Sequence, residues 1–252
     1  MNTIDDVLIR MDQIVEECKA KQSRIGYFAI LYRQVTRRVK DGILAGEFED
    51  NPRMEVLDVL FAKRFIDAYD RWALRETCTE SWRLAFEASK DSKHLVLQHL
   101  FLGINAHINL DLGIAASETM VGKDLIGIQG DFNRINALLA ELVDGVKSNI
   151  SKVSPIFGWL IPLAKGRDEM LLNFSIQIAR NGAWKYAGEY HADPNKEFQV
   201  SDRDKNIAVL ANKLISPGKF LAFIVKIVCL LEWKSVSKTM DQLDVVVEKS
   251  IS

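Results

Sequence analysis

Apolar residues recur at three- and four-residue intervals along most of the chain, and strand-like alternation is nearly absent apart from an ambiguous Val245-Val246-Val247. From about Thr3 to Lys21, Ile4, Val7, Leu8, Met11, Ile14 and Val15 mark one helical face, with Thr3 or Asn2 placed to cap it. Ser23 stands before a second helix whose stripe is Ile25, Phe28, Tyr32, Val35, Val39 and Ile43, and Gly46 is placed to stop it. After Asn51-Pro52 a third helix runs from near Arg53 to about Trp72, followed by a shorter segment from Ser81 to Ser89. Gly130 or Asp131 opens a helix to about Val146, and Arg167 to Tyr190 reads as another. Ser201 is placed to cap a helix to about Leu214, and Ser216-Pro217 to start the last major one, with proline in the first turn where its missing N–H costs nothing. Between them, Val153 to Ala164 is an apolar run broken by prolines and a glycine, which reads as a buried or lid-like connector.

The segment from about Lys93 to Met120 differs from the rest. Leu95, Leu97, Leu100, Phe101, Ile104, Ile108, Leu110 and Leu112 project in nearly every direction, the mark of a central, buried helix. The pattern therefore predicts an all-α fold, one multi-helix bundle around this helix. No repeat or linker divides residues 1–252, and about the last twenty residues are expected to form a loosely ordered tail.

Composition narrows the classes. With 48% hydrophobic and 27% charged residues, the chain is that of a folding globular protein. Its 33 basic and 34 acidic residues leave a net charge of −1, with no basic field for nucleic acid. Three widely spaced cysteines, without a CxxC pair, fit neither a disulfide framework nor a cysteine zinc site, and the acid-bearing N-terminus is unlike a signal peptide. Phe220 to Leu231, interrupted by Lys226, is shorter than the roughly 18–20 residues needed to span a bilayer. A cytoplasmic protein without a transmembrane segment is expected.

Polar residues inside the central helix carry the candidate chemistry. At about 100° per residue, His99, Gly103, His107 and Asp111 drift by only about 40° at each step and share one side. Gln98, Asn105 and Asn109 form a second polar line on roughly the opposite side. A buried polar group without a partner costs on the order of 1–3 kcal/mol, so neighbouring helices must supply partners for both lines. Asp58 is one such partner, because it lies within the apolar arc of Met54, Phe61, Ala62, Phe65 and Tyr69. Asp131 also falls on an apolar side, where a cap at its helix start is the simpler reading.

Two explanations stand for Asp58, His99, His107 and Asp111. Imidazoles and carboxylates on adjacent helices are the ligand set of a bundle-core metal centre, zinc or iron, with an open position for water. The same residues also suit a structural polar network that fixes helix register. No G-x-S-x-G elbow and no glycine-rich phosphate loop is present.

The run Leu97 to Leu112, together with Gly26-Tyr27-Phe28, Leu31-Tyr32-Arg33, Leu57-Asp58-Val59, Phe61-Ala62, Arg64-Phe65 and Asp67-Ala68, resembles the bacterial domain-of-unknown-function family 5995. The resemblance extends to about Tyr190 and implies no particular activity. Gly103-xxx-His107-xxx-Asp111 is also similar to a helix motif of zinc-dependent phospholipases C and single-strand nucleases. That likeness implies metal-assisted hydrolysis, but the four histidines here are fewer than those enzymes use and their N-terminal tryptophan ligand is missing.

The functional expectation is a metal-dependent, hydrolase-type enzyme for a small, largely apolar or lipid-like molecule. Asp58, His99, His107 and Asp111 would be its metal-holding and catalytic residues, with Arg33, Arg64, Asn105 and Asn109 as substrate contacts. The alternative is a non-catalytic helical protein that binds an apolar ligand or partner. Phe220 to Trp233 and the 153–164 connector could line a greasy cavity or touch a membrane surface.

Overall fold

The computed structural model describes residues 1–154, 176–232 and 235–245. Among the described residues the regular elements are all helices. They are α1 (Ile4–Ala20), α2 (Ile25–Leu44), α3 (Asn51–Ala73), α4 (Glu80–Ala88), α5 (Val96–Ala106), α6 (Leu112–Thr119), α7 (Gln129–Val153), α8 (Ile176–Ala192), α9 (Lys196–Ile215), α10 (Lys219–Leu231) and α11 (Val236–Leu243). A π-turn, His107–Asp111, joins α5 to α6, and a 3-10 turn, Leu125–Ile128, precedes α7.

Helix ends follow their local chemistry. Thr3 accepts from the Asp6 N–H while the Asp6 carboxylate accepts from the Thr3 N–H, a reciprocal cap for α1. Gly46, at φ +70°, closes α2, and Asp50 caps α3 with Pro52 in its first turn. Two starts differ from the sequence reading. α9 begins before Ser201 because Asn195 accepts from the Phe198 N–H at 3.1 Å and caps it there. α10 begins at Lys219, not at Ser216-Pro217, because Ser216 ends α9 and Gly218 takes the cap position. Within the expected tail, α11 buries Val236, Thr239, Met240 and Leu243. The 153–164 connector beyond Ser154, the first part of the helix expected from Arg167, and Val246-Val247 lie outside the described residues.

The central rod is α5, the π-turn and α6. By length and composition Val96–Thr119 is apolar enough to cross a membrane, but 83% of its most apolar stretch is buried inside the fold, as in a core helix. α2 and α3 pack on one side, α4 and α9 on another, and α8 on α6. Gly113 permits that last approach, since a Cβ there would stand 2.8 Å from both the Ala183 carbonyl oxygen and the Tyr186 ring.

The second polar line of the rod is structural. Gln98 accepts from the Leu95 N–H at 2.9 Å and donates to the Leu214 carbonyl at 2.7 Å. Asn105 donates to the Ile207 carbonyl and accepts from Asn109. These bonds tie the rod to α9. Asp131 holds the α2–α3 connection instead of capping its own helix, accepting from the Glu49 N–H and the Arg53 guanidinium, each at 2.6 Å.

Candidate functional site

His107 and Asp111 are the two ends of the π-turn. Single π-turns inside α-helices are rare and concentrate at functional sites, because the extra residue re-aims side chains at a cost in backbone regularity. Here it sets His107 Nδ1 3.1 Å from Asp111 Oδ2. α9 braces the turn from outside, where Arg203 Nε donates to the Asn109 carbonyl at 3.0 Å.

Asp111 is buried and accepts from three directions. Besides His107, Trp82 Nε1 donates to Oδ2 at 2.9 Å and Arg64 Nε to Oδ1 at 3.2 Å. Trp82 belongs to α4, whose first turn is capped by Asp204 of α9 through the Glu80 and Ser81 N–H groups at 2.6 and 3.0 Å. α9 thus supports both the turn and the indole donor. Arg64 comes from α3, so the carboxylate joins that helix and α4 to the rod.

The imidazole sits in an aromatic box. Phe61 stacks on it with ring centroids 3.7 Å apart and planes 8° from parallel. Tyr32 meets it edge-on at 4.2 Å, and Phe28, Trp82 and Phe65 close the remaining sides at 5.7, 6.0 and 6.4 Å. Burial lowers the His107 pKa, Asp111 opposes that shift, and the Arg64 charge adds to it. A neutral ring facing a carboxylate at Nδ1 carries its proton there, which leaves Nε2 as a bare lone pair.

Among the described residues His107 Nε2 and Asp58 Oδ2 have no hydrogen-bond partner, and the Tyr32 and Thr36 hydroxyls find none beyond each other. All four atoms are buried, on α2, α3 and the rod. Burial, with a smaller contribution from Glu55, pushes the Asp58 carboxyl up to about 8, so at neutral pH it carries a proton and can donate. Burial also drives the Tyr32 phenol well above its usual value, with the carboxyls of Asp58 and Asp111 adding to the shift and a Thr36 hydrogen bond opposing it. Of the residues around the imidazole, only Phe61 and Arg64, side by side on α3, are partly exposed.

The other expected site residues lie elsewhere. His99 is eight residues before His107, about 12 Å along the helix axis. It is buried between Tyr27 and His94, with ring centroids at 5.8 and 5.9 Å, and burial lowers its pKa to about 3. Arg33 is buried in ion pairs with Asp12 and Asp244 at 2.6 and 2.5 Å, which pin α1 and the end of α11 to α2. Asn105 and Asn109 face α9. Arg64 is the one expected substrate contact that reaches the box.

Among the described residues no group of three or more His, Cys, Asp or Glu side chains gathers around a common point. His107 Nε2 and Asp58 are two open donors, whereas a catalytic zinc draws three ligands from protein. Gly103, the first residue of the Gly-xxx-His-xxx-Asp pattern, answers to packing, because a Cβ there would stand 2.4 Å from the Phe28 ring.

A family model described as "Family of unknown function (DUF5995)" matches residues 4–217. The chain belongs to DUF5995. No curated protein and no solved structure matches it. The matched span of this DUF5995 chain contains every residue of the box and ends before α10 and α11.

Sequence reasoning identified Asp58, His107 and Asp111 as polar residues on apolar faces, but missed Trp82, Tyr32, Phe61 and Thr36 as their company. The available signal was indirect: a buried indole N–H or phenol needs an acceptor, and a carboxylate on a buried helix, such as Asp111, is one.

Proposed function

We propose that this DUF5995 protein is an acid–base enzyme of the hydrolase type, acting on a small, largely apolar molecule that reaches His107 between Phe61 and Arg64. The observation that carries the reading is the unpartnered Nε2 of a neutral imidazole whose opposite nitrogen is bound to Asp111. Asp111 holds the tautomer and steadies the imidazolium formed when Nε2 takes a proton from water. Arg64 and Trp82 hold Asp111, and the aromatic rings keep bulk solvent away, which strengthens the electrostatics within the box. Asp58, neutral in its buried position, supplies a proton donor from α3. A positioned general base of this kind contributes about 10²–10⁴ in rate.

One observation favours the non-catalytic alternative. Asp111 accepts from groups on α3, α4 and the rod, and that arrangement alone would serve to set helix register. Hydrolysis of p-nitrophenyl butyrate by wild type and His107→Gln separates the two. The proposal expects turnover above buffer in wild type and a loss of about 10²-fold or more in a variant that melts like a folded protein. Equal rates in the two folded proteins, or no turnover by wild type, would favour the register role.

A further inference from the structure

Helix α10 exposes an apolar strip that the rest of the described fold does not cover. Phe223 is 63% exposed, Ile227 42%, Leu230 73% and Leu231 55%. At about 100° per residue these four fall within an arc of about 100°, and the buried Val228 lies about 110° round the helix from the middle of that arc. Exposed apolar residues scattered singly are ordinary, whereas four large ones on one helical face form a contact surface.

The charges on the same helix select the contact. Lys219–Leu231 contains two lysines and no acid. Lys219 and Lys226, seven residues apart, lie along one edge of the strip, are exposed, and form no ion pair with any described residue. A second copy of α10 would place lysines against lysines with no acid on either helix to offset them. An interface of anionic lipid offers an apolar phase for the strip and negative headgroups for the lysines, the arrangement of an in-plane amphipathic helix.

We propose that α10 is a docking helix for an anionic lipid surface, laying Phe223, Ile227, Leu230 and Leu231 into the headgroup boundary with Lys219 and Lys226 at the phosphate level. The inference is independent of the chemistry at His107. It places a peripheral contact outside the span that defines the family, on an element whose apolar face has no other occupant among the described residues.

Co-sedimentation of the full chain with vesicles of phosphatidylcholine alone, or rich in phosphatidylserine, tests it. Wild type is expected to pellet with the serine-lipid vesicles and much less with phosphatidylcholine. Lys219→Gln with Lys226→Gln should reduce partitioning about 25-fold, at about fivefold per lysine near an anionic surface. Phe223→Ser with Leu230→Ser should leave the protein in the supernatant with an unchanged melting temperature, because both side chains face outward. Wild type that stays in the supernatant with both lipids overturns the proposal. So does a wild-type dimer in gel filtration that the Phe223/Leu230 variant abolishes, since the strip would then belong to a second copy.

Discussion

A carboxyl group buried without a cation beside it survives by staying protonated, and Asp58 is that case. Its pKa is raised by burial to about 8, against about 3.9 for the unfolded chain. Below about pH 4 both states hold the proton; between there and about 8 the unfolded chain releases it while the folded one keeps it, so stability falls as pH rises. Asn in place of Asp removes that dependence. Asp58→Asn should therefore gain stability relative to wild type by about 2–4 kcal/mol between pH 5 and pH 8, read from urea unfolding at the two values. A variant that instead loses ground at pH 8 would mean that the native carboxylate faces a cation. At this scale the sequence was legible where a polar residue broke an apolar arc, as Asp58 does. It misled at His99, because sharing one side of a helix does not bring two residues to one point, and the eight residues between His99 and His107 already amount to about 12 Å of helix axis.

Elements were legible wherever periodicity was long. The central helix, α1, α2 and α3 lie close to their expected spans because apolar stripes and caps agree there. Starts went astray where two cap-forming residues competed: Asn195 pre-empts Ser201, and Ser216 closes one helix instead of opening the next. The π-turn was invisible, since one extra residue in a helix apolar on all sides leaves no periodic trace. Arg203 is its external brace through the Asn109 carbonyl. Arg203→Met keeps the length of the side chain and removes the donor, so it should cost about 1.5–3 kcal/mol, the range for a hydrogen bond from a charged group. It should also loosen the His107–Asp111 contact, lowering any His107-dependent turnover along with the melting temperature. A variant as stable as wild type would show that the turn holds without α9.

For the molecule as a whole, the all-α class followed from local pattern, while the box is a product of non-local packing. Tyr32 and Thr36 arrive on α2, Asp58, Phe61 and Arg64 on α3, Trp82 on α4, and His107 and Asp111 on the rod. Nothing in their spacing along the chain announces the meeting. What the assembly achieves is a neutral imidazole with a defined tautomer and a buried free nitrogen. Nitrogen-15 NMR of the His107 ring, followed from pH 8 to pH 5, tests that claim most directly. The account predicts a proton fixed on Nδ1, a bare Nε2, and no protonation at the ordinary histidine value of about 6.5, because burial holds the pKa below it. A proton on Nε2, or a ring that titrates near that ordinary value, would contradict it.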